Sequence, residues 1–320
     1  MTTATERAER AAVFGSLVLV QVFFGLHYLA AKILLENIPP RTWAVIRVAG
    51  GAIVLLIATR FLRRPLPRSA RDLAYLALLS IFGVVINQVC FVEGLHRTTA
   101  THSALINTSI PVSTLVFAVL LRRETPNGRK VLSMLTSFCG VLLVIRPDHV
   151  SFSSSTFAGD LLTLANALSY GFFLVVSKRM LARLDSLGAT AALMSFGSLG
   201  IFILGWPQLL AFHPGAVPAM TWWIGLFIIV FPTAAAYFLI YWALARAESS
   251  IVALFIYLQP LIATGLSVAY LGERPGPRVM TGGAMICVGV YLALRPSTPS
   301  LPAGGASQPP TSPSALATSS

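Results

Sequence analysis

The chain has 320 residues, of which 56% are hydrophobic and 11% are charged, and its formal net charge at pH 7 is +12. An average soluble domain carries roughly 25% charged residues, so a soluble fold of this length could not bury so much apolar surface. The composition therefore predicts a membrane protein. The basic excess alone would also suit nucleic-acid binding, but the positions of the basic residues along the chain argue against it.

Ten hydrophobic stretches follow one another along the chain, and most of them are joined by short connections. A helix of about 18 to 25 apolar residues can cross a bilayer, and it satisfies its own backbone hydrogen bonds, as hydrocarbon requires. The first stretch is too long for the hydrophobic region of a cleaved signal peptide. We therefore predict an all-α integral membrane protein with ten transmembrane helices. The predicted helices are 12–35, 40–61, 71–94, 98–121, 129–146, 157–180, 187–206, 219–245, 249–271 and 278–295.

The basic residues predict the orientation of these helices. If the N-terminus lies in the cytoplasm, 15 Lys and Arg residues fall in inside segments and 5 in outside segments. This agrees with the excess of positive charge that cytoplasmic loops carry. We expect a protein of the cytoplasmic (inner) membrane with both termini in the cytoplasm, whose basic residues contact anionic lipid rather than nucleic acid.

The two halves of the chain share one pattern. Segments 95–147 and 244–296 correspond at a constant offset without a gap, and Gly25 and Lys32 are spaced like Gly171 and Lys178. Further corresponding pairs are Arg97 with Arg246, Pro111 with Pro260, Glu124 with Glu273, Pro126 with Pro275, Gly140 with Gly289, and Arg146-Pro147 with Arg295-Pro296. Duplicated halves are typical of transporters with a substrate path between structural repeats. Because each half crosses the membrane five times, the second copy is expected to be inverted.

The predicted organisation has four parts. A cytoplasmic N-terminus at 1–11 precedes a first five-helix repeat at 12–147 and a second at 157–296. The remaining segment, 297–320, is rich in Pro, Ser, Ala and Thr. Such a composition cannot bury enough apolar surface to fold, so we expect a disordered cytoplasmic tail.

Several short motifs follow one another in a fixed order. They are Phe24-Gly25 to Lys32, Arg47, Thr98 to Pro111, Arg123-Glu124, Gly159-Asp160, Pro260 and Gly272-Glu273-Arg274. In this order they resemble the EamA-like branch of the drug/metabolite transporter superfamily, over about 14–296. The resemblance implies a secondary carrier with two inverted five-helix repeats around a central cavity. Members of that family move amino acids, other metabolites or drugs, so the resemblance does not define the substrate.

Polar side chains recur on single stripes of several predicted helices. An ionisable or amide group at membrane depth is costly and therefore a candidate for function, and a substrate cavity needs a few such groups facing inward. The cavity candidates are Gln21, Tyr28, Lys32, Asn87, Gln88, Asn107, Asn166, Tyr170, Tyr237, Tyr241 and Tyr257. Gln88 and Tyr237 correspond across the repeats and could lie on opposite sides of one cavity. The alternative is that polar groups only join helices, at about 0.6 kcal/mol per hydrogen bond.

Three charged residues within the predicted helices have two interpretations each. Glu93 is the only carboxylate well inside an apolar run, so it is the candidate for proton or ion coupling. The alternative is that it is exposed to solvent or paired with His96 or Arg97. Lys32 could extend to the membrane surface, and Arg47 must find a carbonyl or carboxylate partner. If Lys32 and Arg47 are deep in the membrane, a neutral, zwitterionic or anionic solute is preferred.

Two prolines occupy corresponding midpoints of the fourth and ninth predicted helices, Pro111 and Pro260. A proline inside a helix removes one backbone hydrogen bond and bends the helix. We expect these two positions to be hinges, or to expose carbonyl groups to a cavity.

The sequence contains no phosphate-binding glycine loop, no HExxH motif and no nucleophile elbow, so we predict no enzymatic activity, cofactor or metal. The preferred hypothesis is a carrier that moves a metabolite, an amino acid-like solute or a drug by alternating access, as an exporter. Its expected partners are a small-molecule substrate and the bilayer. The sequence does not decide whether the protein is a homodimer. The alternatives are a non-transporting receptor or assembly protein with the same fold, and a membrane enzyme.

Overall fold

A computed structural model describes residues 4–98, 100–125, 127–145, 154–262, 265 and 276–294. Within these residues the chain is helical throughout and contains no β-strand. Several of the predicted features lie outside the described residues. They are the end of the fifth helix at 146–147, the ninth helix beyond 265, the pairs Pro126 with Pro275 and Arg146-Pro147 with Arg295-Pro296, the motif Gly272-Glu273-Arg274 and the tail at 297–320.

The helices follow the predicted order. Their bounds are α1 Ala4–Leu35, α2 Pro40–Phe61, α3 Ala70–Ser80, α4 Asn87–Arg97, α5 Ala100–Asn107, α6 Ser109–Leu120, α7 Gly128–Ile145, α8 Ser154–Arg183, α9 Ser186–Leu210, α10 Ala219–Ile228, α11 Ala236–Leu244, α12 Ser249–Leu254 and α13 Pro277–Leu294. Short 3₁₀ turns lie at Pro214–Ala216 and Phe255–Leu258. The helix α1 begins earlier than its apolar stretch, because Ala, Glu and Arg at its start are good helix formers.

Six helices are long and apolar enough to cross a membrane. They are Thr5–Leu35, Pro40–Phe61, Ala70–Arg97, Phe157–Arg183, Ser186–Leu210 and Ala219–Leu244. Shorter apolar helices lie at Leu105–Leu120, Ser249–Ile262 and Pro277–Ala293. Large apolar side chains such as Leu29, Ile203 and Trp223 remain exposed on the surface of the bundle, where a bilayer would cover them. The predicted all-helical membrane fold is therefore confirmed.

The helices α7 and α13 correspond across the repeats, have 18 residues each and pack against one another. A methyl group added to Gly140 would lie 2.6 Å from the carbonyl oxygen of Gly282, and one added to Gly289 would lie 2.7 Å from that of Ser133. Gly282 corresponds to Ser133, so the two contacts are reciprocal. Since the end of each helix meets the start of the other, the pair is antiparallel, and small residues permit its close approach.

Two helices contain π-helical turns at corresponding positions. The first, Ile81–Ile86, joins α3 to α4, and the second, Ile229–Ala235, joins α10 to α11. The second contains Pro232, which cannot donate a backbone hydrogen bond, whereas Gly83 in the first lies against the ring of Phe173. A π turn shifts the following residues around the helix axis, and such turns are frequent at functional sites. The hydrophobic pattern did not predict them.

The close approach of α7 and α13 can be tested by adding single methyl groups. We expect Gly140→Ala and Gly289→Ala each to destabilise the protein by about 1–3 kcal/mol, because overpacking displaces backbone atoms. The measurement is thermal unfolding of the purified protein in detergent. Gly15→Ala is the matched control, since nothing lies within 4 Å of the added methyl group. Equal stability of Gly140→Ala and Gly15→Ala would contradict the described packing.

Candidate functional site

A cavity opens between α1, α2, α4, α5, α6, α8, α11 and the helix at 249–262. It encloses about 510 Å³ of space not filled by atoms, counting its open mouth. Its wall combines aromatic and apolar side chains with amides, one guanidinium and one imidazole. The lining residues are Phe24, His27, Arg47, Asn87, Gln88, Phe91, Asn107, Ile110, Asn166, Tyr170, Tyr237, Ile256 and Gln259.

Hydrogen bonds connect four buried side chains in this wall. The side-chain amide of Gln88 donates to the Tyr237 hydroxyl and, at 3.1 Å, to Asn87 Oδ1. The Tyr237 hydroxyl donates to Asn87 Oδ1 at 3.2 Å, and Asn87 Nδ2 donates to Asn166 Oδ1 at 3.2 Å. Because the π turns directly precede α4 and α11, they determine where Gln88 and Tyr237 point. The chain of bonds joins the two halves through corresponding residues.

Several polar atoms of the lining residues are buried without a hydrogen-bond partner among the described residues. They are His27 Nε2, Arg47 Nη1, Gln88 Oε1 and the Tyr170 hydroxyl. Buried polar atoms in proteins are nearly always hydrogen-bonded, so each exception needs an explanation. In a cavity, these atoms can bind a polar solute or water.

Arg47 is 2% exposed on α2. Its Nε donates to Thr233 Oγ1 at 2.7 Å, and Thr233 belongs to the second π turn. Among the described residues no carboxylate forms an ion pair with this guanidinium, so its partner is a hydroxyl instead of the carbonyl or carboxylate that we expected. Within the described part of the chain, the cavity therefore contains a buried positive charge without a counter-ion.

Gln259 lines the cavity, and the sequence analysis did not select it. Its Nε2 donates to Gln21 Oε1 at 2.8 Å, which places the predicted residue Gln21 directly behind the wall. His27 also lines the cavity, where its ring stacks on Phe91 with ring centroids 5.4 Å apart. An amide within an apolar run was the signal used for Asn87 and Asn166, and the same signal would have found Gln259.

Three of the predicted cavity residues are placed differently, namely Lys32, Tyr241 and Tyr257. Tyr241 is fully buried behind Tyr237, with ring centroids 5.8 Å apart, and Tyr257 is fully buried beside Phe138. The side chain of Tyr28 lies outside the described residues. Lys32 does not line the cavity, because its Nζ donates to the carbonyl oxygens of Leu95 and Thr98 at 2.9 and 3.0 Å.

Lys178, which corresponds to Lys32, has an equivalent contact. Its Nζ donates to the carbonyl oxygen of Ala247 at 2.7 Å, and Ala247 corresponds to Thr98. The last carbonyl groups of a helix lack hydrogen-bond donors within the helix, and a lysine side chain can act as the donor. The two lysines thus cap the ends of α4 and α11.

Glu93 also lies away from the cavity. It accepts hydrogen bonds from Arg41 Nε at 2.7 Å and from Arg97 Nη2 at 3.0 Å, and its side chain is 8% exposed. This is the pairing that the sequence analysis held as the alternative to proton or ion coupling. We call Arg41, Glu93 and Arg97 the Glu93 cluster. At the corresponding positions, the guanidinium of Arg246 lies 4.4 Å from the ring centre of Trp242.

A second cluster lies beyond the far end of α6. Glu124 accepts hydrogen bonds from the backbone N–H of Ser250 at 3.2 Å and from its hydroxyl. Lys130 forms ion pairs with Glu124 at 3.4 Å and with Glu248. We call these residues the Glu124 cluster. Because α5 and α6 rise about 1.5 Å per residue, roughly 30 Å separates it from the Glu93 cluster, and the cavity lies between them.

Both predicted hinge prolines follow an irregular turn. Pro111 comes after the break between α5 and α6 at Thr108, and Pro260 comes after the 3₁₀ turn Phe255–Leu258. A proline cannot donate to the carbonyl four residues earlier, which for Pro111 belongs to Asn107. The residues next to both breaks, Asn107 and Gln259, line the cavity.

Together, the apolar helices and the polar cavity define a multi-pass membrane protein of the transporter class. The chain belongs to the EamA-like transporter family, whose model matches residues 13–146 and 157–295. The predicted family is therefore confirmed, and the protein is a membrane transporter rather than an enzyme.

Similar proteins agree with this assignment. The chain is 30% identical to an uncharacterized transporter of Archaeoglobus fulgidus, over 86% of this chain and 95% of the relative. It is 26% identical to a probable terminal-alkyne amino-acid exporter of Streptantibioticus cattleyicolor, over 88% of this chain and 92% of the relative. A crystal structure superimposes with a TM-score of 0.72 at 18% identity, over 90% of this chain and 96% of that chain. This last likeness concerns the fold alone.

The capping role of the two lysines predicts similar losses of stability. We expect Lys32→Met and Lys178→Met each to lower the free energy of unfolding by about 1–3 kcal/mol, because carbonyl oxygens lose their donors. Thermal unfolding in detergent measures this. Arg60→Met, at an exposed site of α2, should leave the stability unchanged. A lysine variant as stable as the control would show that its carbonyls find other donors.

Proposed function

We propose that this transporter is a secondary carrier of ten transmembrane helices, arranged as two inverted five-helix repeats. It moves a small metabolite, an amino acid-like solute or a drug across the cytoplasmic membrane by alternating access. The hydrogen bond between Gln88 and Tyr237 in the cavity wall is the observation that carries this proposal. Corresponding residues of two repeats can touch only near the axis that relates the repeats.

The packing of α7 against α13 supports the inverted arrangement. Its contacts are reciprocal: when residue i contacts residue j, the counterpart of i contacts the counterpart of j. Such contacts are typical of a two-fold axis. For an antiparallel pair such as this one, a two-fold axis of that kind runs across the helices. An axis in the membrane plane relates inverted repeats, and substrate sites of such carriers lie near it at the bilayer midplane.

The two polar clusters support alternating access. The Glu93 cluster and the Glu124 cluster each connect separate helices, one at either end of the cavity. In this mechanism they close the two ends in turn, while Pro111 and Pro260 act as hinges and the π turns allow α4 and α11 to shift. Export is the proposed direction, because the Streptantibioticus cattleyicolor relative is named as an exporter.

The proposed partners are a small solute and the lipid bilayer, with both termini in the cytoplasm and no nucleic acid. A homodimer is compatible with this arrangement. A receptor or assembly protein that kept the fold would not need an open polar centre, so the cavity favours the carrier over that alternative.

The carrier proposal is tested first by comparing metabolites in cells and medium with and without the full chain. Flux of each solute that changes is then measured in proteoliposomes. We expect the combined variant Asn87→Ala, Asn166→Ala, Tyr237→Phe to reduce this flux at least about tenfold, because each lost hydrogen bond costs roughly 0.5–1.5 kcal/mol. Asn37→Ala with Tyr75→Phe, both at exposed positions, is the matched control. Unchanged flux would contradict the site, and no flux of any solute would contradict the carrier.

The inverted arrangement is tested by labelling single cysteines at corresponding helix starts. Gly128→Cys and Pro277→Cys are introduced separately, after Cys90, Cys139 and Cys287 are replaced by serine. We expect a membrane-impermeant maleimide to label Pro277→Cys in intact cells, and Gly128→Cys only after permeabilisation. Labelling of both in the same compartment would disprove the inverted repeats.

A further inference from the structure

Arg47 differs from every other residue in the cavity wall. It is the only Lys, Arg, Asp or Glu among the described residues that line the cavity, and it is almost completely buried. Its Nε is bound to the Thr233 hydroxyl, and its Nη1 has no hydrogen-bond partner among the described residues. The side chain is held in place at one nitrogen and free to bind at another.

A buried guanidinium needs a negative charge nearby. Removing a charge from water is costly unless the charge is paired and hydrogen-bonded, and intramembrane arginines almost always pair with another group. The other polar side chains of the wall are amides, phenols and an imidazole, and no carboxylate lines this described cavity. None of these side chains is a carboxylate, so among the described residues Arg47 has no counter-ion, and a bound solute can supply one.

We propose that Arg47 binds the carboxylate of the transported solute, so that this carrier accepts small solutes with a single carboxylate group. The inference rests on the carrier function proposed above and specifies the class of its substrate. The planar guanidinium matches the geometry of a carboxylate, as it also matches that of a phosphate, and charge-assisted bonds of this kind are strong.

The rest of the wall limits which solutes satisfy this site. Gln88 Oε1 and the Tyr170 hydroxyl are available for uncharged or donor groups of the solute. A cation without a carboxylate would be repelled by Arg47 and would meet no carboxylate in the wall. A dianion would carry a second negative charge, for which the described wall offers no second Lys or Arg side chain. The single guanidinium of Arg47 therefore selects solutes that carry a single negative charge.

The test uses proteoliposomes with the full chain and a defined mixture of probes. The probes are small α-amino and α-hydroxy carboxylates, the carboxamide of each, and the corresponding amines without the carboxyl group, and mass spectrometry follows their flux. We expect the wild type to move at least one carboxylate about 30-fold faster than its carboxamide, because leaving one partner of a buried charge pair unpaired has at least this effect. Arg47→Gln should lose this preference together with the flux, and Arg47→Lys should keep part of both.

Arg60→Gln is the matched control, since it makes the same change at an exposed position of α2. Size-exclusion chromatography shows whether Arg47→Gln is folded, and the preference of the wild type needs no variant at all. Equal flux of carboxamides or amines would overturn the inference, and so would undiminished carboxylate flux in Arg47→Gln. Failure of the wild type to move any carboxylate in the mixture would overturn it too. The carrier function would survive each of these results if the metabolite comparison yields a transported solute.

Discussion

Hydrocarbon contains no water, so each buried polar group in this protein needs a partner on its own or a neighbouring helix. This constraint explains why Lys32 and Lys178 bind carbonyl oxygens at helix ends, and why Ser133 donates to the carbonyl of Gly289 on the neighbouring helix. The constraint is met only in part among the described residues, because Arg47 Nη1 and Gln88 Oε1 in the cavity, and also Trp43 Nε1 and the Tyr257 hydroxyl away from it, lack partners. In the proposed carrier, the solute would bind the unsatisfied groups in the cavity.

Helical periodicity predicted a large part of the cavity wall. Asn87, Gln88, Asn166 and Tyr237 lie in it because polar residues on one stripe of an apolar helix turn away from lipid. For Lys32, in contrast, helical periodicity did not predict the role. A lysine that binds a solute and a lysine that caps a helix have the same sequence pattern, since both solve the same problem of a charge in the membrane. Only the position of the neighbouring carbonyl groups separates the two roles, and that position depends on tertiary packing.

The order of the helices was also predictable, whereas the π turns were not. An extra residue in one helical turn hardly changes the apolar pattern of the sequence, yet it rotates all following residues about the helix axis. The repeats add a second lesson, because corresponding positions retain geometry while their chemistry changes. Glu93 and Arg97 form an ion pair, whereas their counterparts Trp242 and Arg246 form a cation–π contact. Gln88 and Tyr237 differ too, and this difference lets one donate to the other.

The reciprocal packing of α7 and α13 has a consequence for the origin of the chain. The two sides of this interface consist of corresponding positions, so the contact does not depend on the covalent connection between the halves. Two separate copies of a five-helix ancestor, inserted in opposite directions, could form the same contact. Gene fusion would then have preserved an assembly that already existed. Later substitutions on only one side, such as Ile286 at the position that corresponds to Ser137, would distinguish the halves today.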